Sequence, residues 1–256
     1  MKKKVLALIL TAAMVVGLAA CGGSTSNDAA STTDGTTTEA SDNQTGDETT
    51  DTTEAAASTG EKILSVQVGP DPETIDPALN SAVDGGNMLL HSFECLLAVD
   101  ENGQLVPGQA ESWETSEDGL TWTFHLRDGL KWSDGSQLTA HDFVCSWQRT
   151  NNPKTAAIGS MFFSGIKNAD AIQSGKVTDM NQLGVKALDD TTLQVTLDRP
   201  LPQLKAELAM MYFFPEKESF VTTTGKAFGT TAKDSLSSGP YVLKKWDGSS
   251  STYQYV

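Results

Sequence analysis

Between residues 22 and 60 the chain has no valine, leucine, isoleucine or aromatic residue, and this stretch decides how much of it can fold. It consists mostly of Ser, Thr, Gly, Ala, Asp and Glu, too little apolar surface to offset the entropy of ordering, and reads as a tether. As a flexible coil it has an r.m.s. reach of roughly 35 Å, lengthened by repulsion among its acids. A core can be assembled only from residue 61 onward, which limits a chain of 256 residues to a body of one or two domains.

Ahead of the tether, Lys2, Lys3 and Lys4 precede an apolar run from Val5 to Leu10 that continues through Ala12, Val15, Val16 and Leu18. The run is shorter than the roughly 18–20 residues of a spanning helix, and it closes with Leu18-Ala19-Ala20-Cys21, so residues 1–20 read as a signal peptide. The ending resembles the bacterial lipobox: small side chains admit a peptidase, and the Cys21 thiol is the nucleophile that can carry a thioether-linked lipid. A buried structural cysteine is the alternative. At about 0.8 kcal/mol per buried methylene, the two or three acyl chains of a lipoprotein make attachment effectively permanent. The expected location is the extracytoplasmic face of a bacterial cell membrane, with the lipid bilayer as partner through Cys21.

The formal net charge of −15 falls to about −10 without the eight tether acids and the three signal lysines. Nucleic-acid binding needs clustered Lys and Arg and is not expected. Cys95 and Cys145 allow at most one bridge and read as free thiols. Cys-x-x-Cys, Gly-x-Ser-x-Gly, His-Glu-x-x-His and phosphate-loop patterns are absent, so no catalytic residue, metal or cofactor is expected and the chain does not read as an enzyme. His125 and His141 read as solvated rather than as a metal pair, and His91 as a helix-surface residue.

In the body, Ile63 to Val68 reads as a strand ended by Gly69-Pro70-Asp71-Pro72. Met88, Leu89, Phe93, Leu96 and Leu97 predict a helix from Asn87 to Ala98, capped by Asp84 or Asn87 and followed by an Asn102-Gly103 turn. Alternation predicts a strand from Leu120 to Arg127, among tight turns at Asp118-Gly119, Asp128-Gly129 and Asp134-Gly135. Thr139 to Asp142 reads as a capping box for a helix reaching about Arg149. Leu193, Val195 and Leu197 form a further strand, Pro202 opens a helix through Met211, and Tyr241–Trp246 and Ser251–Val256 pair across Asp247-Gly248. Trp113, Trp122, Trp132 and Trp147 fall at core spacing rather than forming a stacking platform. The mixture is α/β or α+β.

Several of these stretches lie along one pattern. Ile75-Asp76-Pro77, Phe93-Glu94-Cys95-Leu96-Leu97 and Pro107-Gly108-Gln109-Ala110-Glu111-Ser112-Trp113 come first; Trp122 to Gly129, Lys131 to Gly135 and Thr139 to Phe143 follow; Leu183 to Ala187, Asp189 to Leu193 and Ser238-Gly239-Pro240-Tyr241 close it. In this order the body, from about Lys62 to Trp246, resembles the family 5 extracellular solute-binding proteins of ABC transporters, in the oligopeptide-binding branch.

The resemblance implies a two-lobed, periplasmic-binding-protein-like type II fold that stops before the second large lobe. Residues 61–92 would begin lobe I, 93–214 would form an inserted domain, and 215–256 would return to lobe I incompletely. It implies capture of short peptides, bound in extended form, for ABC permease subunits, by a monomer. Ligand contacts would come from Ser81, where oligopeptide binders often place an acid, from the nearby Asp84, from Gly159, where the branch has an aromatic residue, and from Ser238 and Gly239. Other readings are capture of another solute such as a metal chelate, and a truncated surface lipoprotein that captures nothing. An incomplete lobe also exposes strand edges, so the isolated body is expected to be marginal or aggregation-prone.

Overall fold

The computed structural model describes Leu64, Gly69, residues 72–250 and residues 252–256. Cys21, the tether and nearly all of the strand expected over 63–68 lie outside the described residues.

The first helix, α1 (Val83–Ser92), buries Gly85, Gly86, Met88, Leu89 and Ser92. Its two glycines permit close approach: a Cβ on Gly85 would overlap the Asn80 Oδ1 atom, and one on Gly86 would sit 3.0 Å from Met211 Sδ. Neither expected cap is used. The N-cap is Ala82, with no side-chain bond, and Asp84 lies in the first turn, where its charge complements the helix dipole. The helix also stops six residues before the expected Ala98. Phe93 is extended, and Leu97–Val99 forms β1 instead, paired antiparallel with β2 (Leu105–Pro107). Backbone donors from Gly108, Gln109 and Ala110 bind the Cys95 and Leu96 carbonyls at 2.8–3.0 Å, so tertiary pairing claims this short apolar run as extended chain.

Four strands form an antiparallel sheet, β3 (Ala110–Thr115), β4 (Thr121–Leu126), β5 (Val185–Ala187) and β6 (Thr192–Thr196), in the order β3-β4-β6-β5. The alternation of β4 holds as read: Phe124 and Leu126 are buried, and the facing residues of β6, Leu193 and Val195, are at 0% exposure. Helix α2 (Ala140–Asn151) packs on β5 and β6. Its expected capping box is present, with the Asp142 carboxylate accepting from the Thr139 N–H at 2.8 Å. Trp147, on the buried face of α2, stands edge-on to Phe213 at 5.2 Å, and Phe163 stacks on Phe213 at 4.3 Å. Trp132 and Trp147 are core residues, while Trp113 and Trp122 are partly buried against the core.

After α2 come a 3-10 turn at Ile158–Phe163, α3 (Ala169–Gln173) and α4 (Leu204–Glu207). The helix expected through Met211 is only this one turn. The chain goes on as a 3-10 turn over Met211–Phe213: the Met210 carbonyl accepts from the Phe213 N–H and from Cys95 Sγ, and the Phe213 carbonyl accepts from Trp147 Nε1. Helix α5 (Glu218–Thr224) follows, and then a hairpin of β7 (Leu243–Lys245) and β8 (Gln254–Tyr255), shorter than the strands read from the sequence. Its turn is the expected one: Gly248 has φ +83°, and Asp247 Oδ1 accepts from the Ser249 and Ser250 amides. Cys95 and Cys145 are free thiols.

Candidate functional site

The loop before α1 is held from behind by a buried ion cluster. Arg149, in the last turn of α2, donates to Asp76 through both terminal nitrogens, and its Nη1 also reaches both Glu216 oxygens at 2.9 and 3.0 Å. Asp76 and Glu216 side chains are 1% and 0% exposed, and Arg149 lies 5.5 Å above the Phe228 ring. Three chain segments meet here. The Ile75 amide donates to the Gly229 carbonyl at 2.8 Å, the Ala78 amide to Asp76 Oδ1 at 3.0 Å, and the Glu216 amide to the Asp142 carbonyl at 3.1 Å. Further along the loop, buried Asn80 donates to the Ala82 carbonyl and approaches Met211 Sδ at 3.6 Å. The entry into α1 is therefore preset before any ligand arrives.

The site residues expected from sequence separate to the two ends of α1, about 15 Å apart at 1.5 Å per residue. At the N-terminal end Ser81 is exposed and Asp84 half-buried, with the Gly69 backbone against Asp84. Met211 packs on Asn80 and Gly86, and its neighbour Tyr212 stacks on Phe162 at 5.0 Å. Gly159 is buried beneath Tyr212, whose ring a Cβ on Gly159 would overlap. The Tyr212 ring, stacked on Phe162, thus lies against the position where the resembled branch has an aromatic residue. Ile158, Met161 and Val83 add exposed apolar surface, Val83 at 80%. The hydroxyl and carboxylate at the start of α1 and the stacked aromatic pair are linked through Met211, and together they are called the wall.

At the other end, the Ser238 and Gly239 amides both donate to the Ser92 carbonyl, at 2.9 and 2.8 Å, and Gln109 Nε2 donates to the Ser238 carbonyl. A Cβ on Gly239 would lie 2.8 Å from the Phe93 backbone. These two residues clasp the return segment onto the C-terminus of α1, away from Ser81 and Asp84. Arg149, Glu216 and Tyr212 were not singled out from the sequence: the ion cluster joins positions 73 and 67 residues apart, a spacing with no local periodicity.

His125 lies 3.5 Å from Glu114, and His141 lies 3.8 Å from Asp190, both pairs largely exposed. Burial pushes the Cys145 thiol up to about 12 and holds the Cys95 thiol well above its ordinary range, so neither offers a thiolate near neutral pH.

The cluster sets a pH dependence of stability. It buries two carboxylates against one guanidinium, and burial pushes Glu216 up to about 8 although the Arg149 charge opposes this. A carboxyl whose folded pKa exceeds its unfolded one favours the fold while protonated. That contribution is full below about pH 4.5 and is lost as pH rises through about 8. Asp134 works in the opposite sense: a hydrogen bond from Lys217 holds it down to about 2, so its contribution disappears as pH falls from about 4 toward 2. Thermal melts are expected to show Tm falling between pH 5 and pH 9, and Glu216→Gln is expected to flatten that slope. An unchanged slope in the variant would exclude Glu216 as its source.

A family model described as bacterial extracellular solute-binding proteins, family 5 Middle, matches residues 104–254. The probable deoxycholate-binding periplasmic protein YgiS of Escherichia coli is 42% identical over 178 residues, covering 69% of this chain and 33% of that protein. The periplasmic oligopeptide-binding protein OppA of Salmonella typhimurium is 41% identical over 180 residues, covering 70% of this chain and 33% of that protein. Among solved structures, Listeria monocytogenes OppA bound to peptide superposes with a TM-score of 0.69 at 36% identity, covering 71% of this chain and 36% of that one. The chain spans about a third of the length of the relatives it matches.

Proposed function

Because the chain belongs to the bacterial extracellular solute-binding proteins of family 5, we propose that it serves an ABC importer as the solute-binding component, capturing short peptides for permease subunits in the membrane. Its fold is that of the N-terminal part of the oligopeptide-binding branch, a periplasmic-binding-protein-like type II architecture. The observation that carries the proposal is the wall at the start of α1. Ser81, on the loop fixed by the buried cluster, and Asp84, in the first turn of α1, are joined to the Phe162–Tyr212 stack through Met211, which packs on Asn80 and Gly86. Such a wall suits an extended peptide: the carboxylate and hydroxyl meet polar backbone or an ammonium, and the aromatic surface accepts side chains of varied shape. Clasp residues Ser238 and Gly239 act through α1 rather than by touching solute, and Gly159 acts by making room for Tyr212.

Isothermal titration of tri- to pentapeptides into the protein tests this. Saturable binding, weakened by Asp84→Asn, is the expected result, and absence of binding by any peptide would sink the reading. A second reading is capture of an amphipathic non-peptide solute, favoured by the 42% identity to the protein named probable deoxycholate-binding. Deoxycholate titrated under the same conditions separates the two.

Anchoring belongs to the same proposal. Cys21 is the acylated residue, residues 22–60 are the tether, and the body works at the extracytoplasmic face. Cells fed an alkyne analogue of palmitate should label the protein, and Cys21→Ser should abolish the label and shift the protein from the detergent phase to the aqueous phase on Triton X-114 partition. Retention of label in the variant would place the lipid elsewhere.

A further inference from the structure

A groove of about 740 Å³ runs between the outer edge of β5 and the flank of α2 that carries His141, Val144 and Gln148. It shares no residue with the wall at the start of α1. β5 is the last strand of the sheet, and the ladder shows which of its backbone groups are unused. The Thr196 amide donates to the Gly184 carbonyl and the Leu188 amide to the Thr192 carbonyl. Antiparallel alternation then turns the Val185 and Ala187 carbonyls and the Ala187 N–H away from β6, along the groove. The Val185 N–H is taken by the Leu183 carbonyl. A free strand edge beside a helix is the geometry in which sheets accept an added strand.

The charge of the groove selects what can enter. Lys167 and Lys186 line it and are exposed, and no carboxylate lines it, in a chain with 33 Asp and Glu against 18 Lys and Arg. Among the described residues, the ion pairs within 4 Å leave Lys167 and Lys186 out; the carboxylates that reach the groove's residues are Asp190, 3.8 Å from His141, and Asp198 and Asp179, which accept from the backbone amides of Asn168 and Asn181 at 3.3 and 3.0 Å. Two uncommitted ammonium groups therefore flank an open edge of one backbone donor and two acceptors.

We propose that this groove docks an extended acidic segment of a partner protein, which joins the sheet as a fifth strand beside β5. The segment pairs with the Val185 and Ala187 backbone, sets carboxylates against Lys167 and Lys186, and lays intervening side chains toward Val144. Charge supplies the choice of partner, and the strand edge supplies register.

The probe is a fluorescein-labelled Val-Glu-Val-Glu-Val-Glu peptide blocked at both ends, with its Val-Gln counterpart as control, followed by fluorescence anisotropy at low ionic strength. The glutamate peptide is expected to bind about tenfold more tightly than the control, and the Lys167→Glu/Lys186→Glu double variant is expected to lose that margin. Both lysines are exposed, so the variant keeps its fold, which circular dichroism verifies. Amide resonances of residues 184–188 should shift on binding, and Asp84→Asn should leave the affinity unchanged, which separates this groove from the solute wall. Absence of binding, equal binding of the two peptides, an unaffected double variant, or shifts confined to the start of α1 would each overturn the proposal.

Discussion

Replacing Arg149 with methionine is expected to lower the free energy of unfolding by about 3–5 kcal/mol, the cost of leaving buried charge without its partner. The guanidinium sits between two acids that are almost wholly inaccessible: Glu216, which burial pushes up to about 8, answers its loss by keeping its proton, while Asp76 is left buried without its ion pair. A favourable contact with the Phe228 ring is lost as well. The measurement is urea unfolding followed by near-ultraviolet circular dichroism, and a loss below about 1 kcal/mol would mean that the cluster is not what secures the loop. The mechanism is checked by repeating the substitution in an Asp76→Asn/Glu216→Gln background. With no buried carboxylates to strand, Arg149→Met should then cost less than half as much, and equal costs in the two backgrounds would assign the effect to lost packing. If Arg149→Met does not fold at all, Arg149→Lys provides the reading. One ammonium cannot reproduce a fork that serves two acids, so this variant should fall between wild type and methionine.

Much of the fold was legible in the sequence because it is locally encoded. β4 alternates over six residues between Asp-Gly turns, and α2 announces itself by a capping box whose two members stand three residues apart. The Asp247-Gly248 turn needs only its own side chain and one positive φ. Segments whose backbone partners lie far away were not legible. Phe93 to Leu97 has the apolar content of either a helix or a strand, and the decision is made by donors from Gly108 to Ala110. Met210 to Phe213 turns as a 3-10 segment rather than an α-helix, with Cys95 and Trp147, distant in sequence, bonded to two of its carbonyls.

The site divides along the same line. Ser81 and Asp84 could be proposed because they lie shortly after Asp76-Pro77, yet what holds that stretch in place could not be read. Asp76, Arg149 and Glu216 are an unremarkable acid, base and acid until the chain returns twice to the same point. Gly159 shows a further limit: its position marks where the resembled branch has an aromatic residue, whereas that the Tyr212 ring, from a segment far along the chain, lies against it is visible only in the fold. Residue identity at one position and surface chemistry at that place are different quantities, and only folding relates them.

Trp147→Ala is expected to destabilise the protein by about 3–5 kcal/mol, through both the buried area removed and the void left behind. Trp147 has 0% exposure, makes edge contacts with Phe143, Phe163 and Phe213, and donates its indole N–H to the Phe213 carbonyl at 3.2 Å. None of these neighbours can fill the space without leaving its own packing, since Phe163 and Phe213 already stack on each other. The substitution should also reach the solute wall, because Phe213 follows Tyr212 and Phe163 follows Phe162. Loosening one aromatic pair frees the other by a single peptide unit. Trp147→Phe retains most of the ring and loses the hydrogen bond, so it should cost less than the alanine variant, and the difference between the two measures packing apart from the lost bond. Urea midpoints at constant slope supply the stabilities. Peptide affinity measured on Trp147→Phe, which remains folded, reports the coupling: weaker binding with Ser81 and Asp84 intact means that the core aromatic cluster holds the Phe162–Tyr212 stack in its receptive position, and unchanged binding means that the stack is held by its own contacts alone.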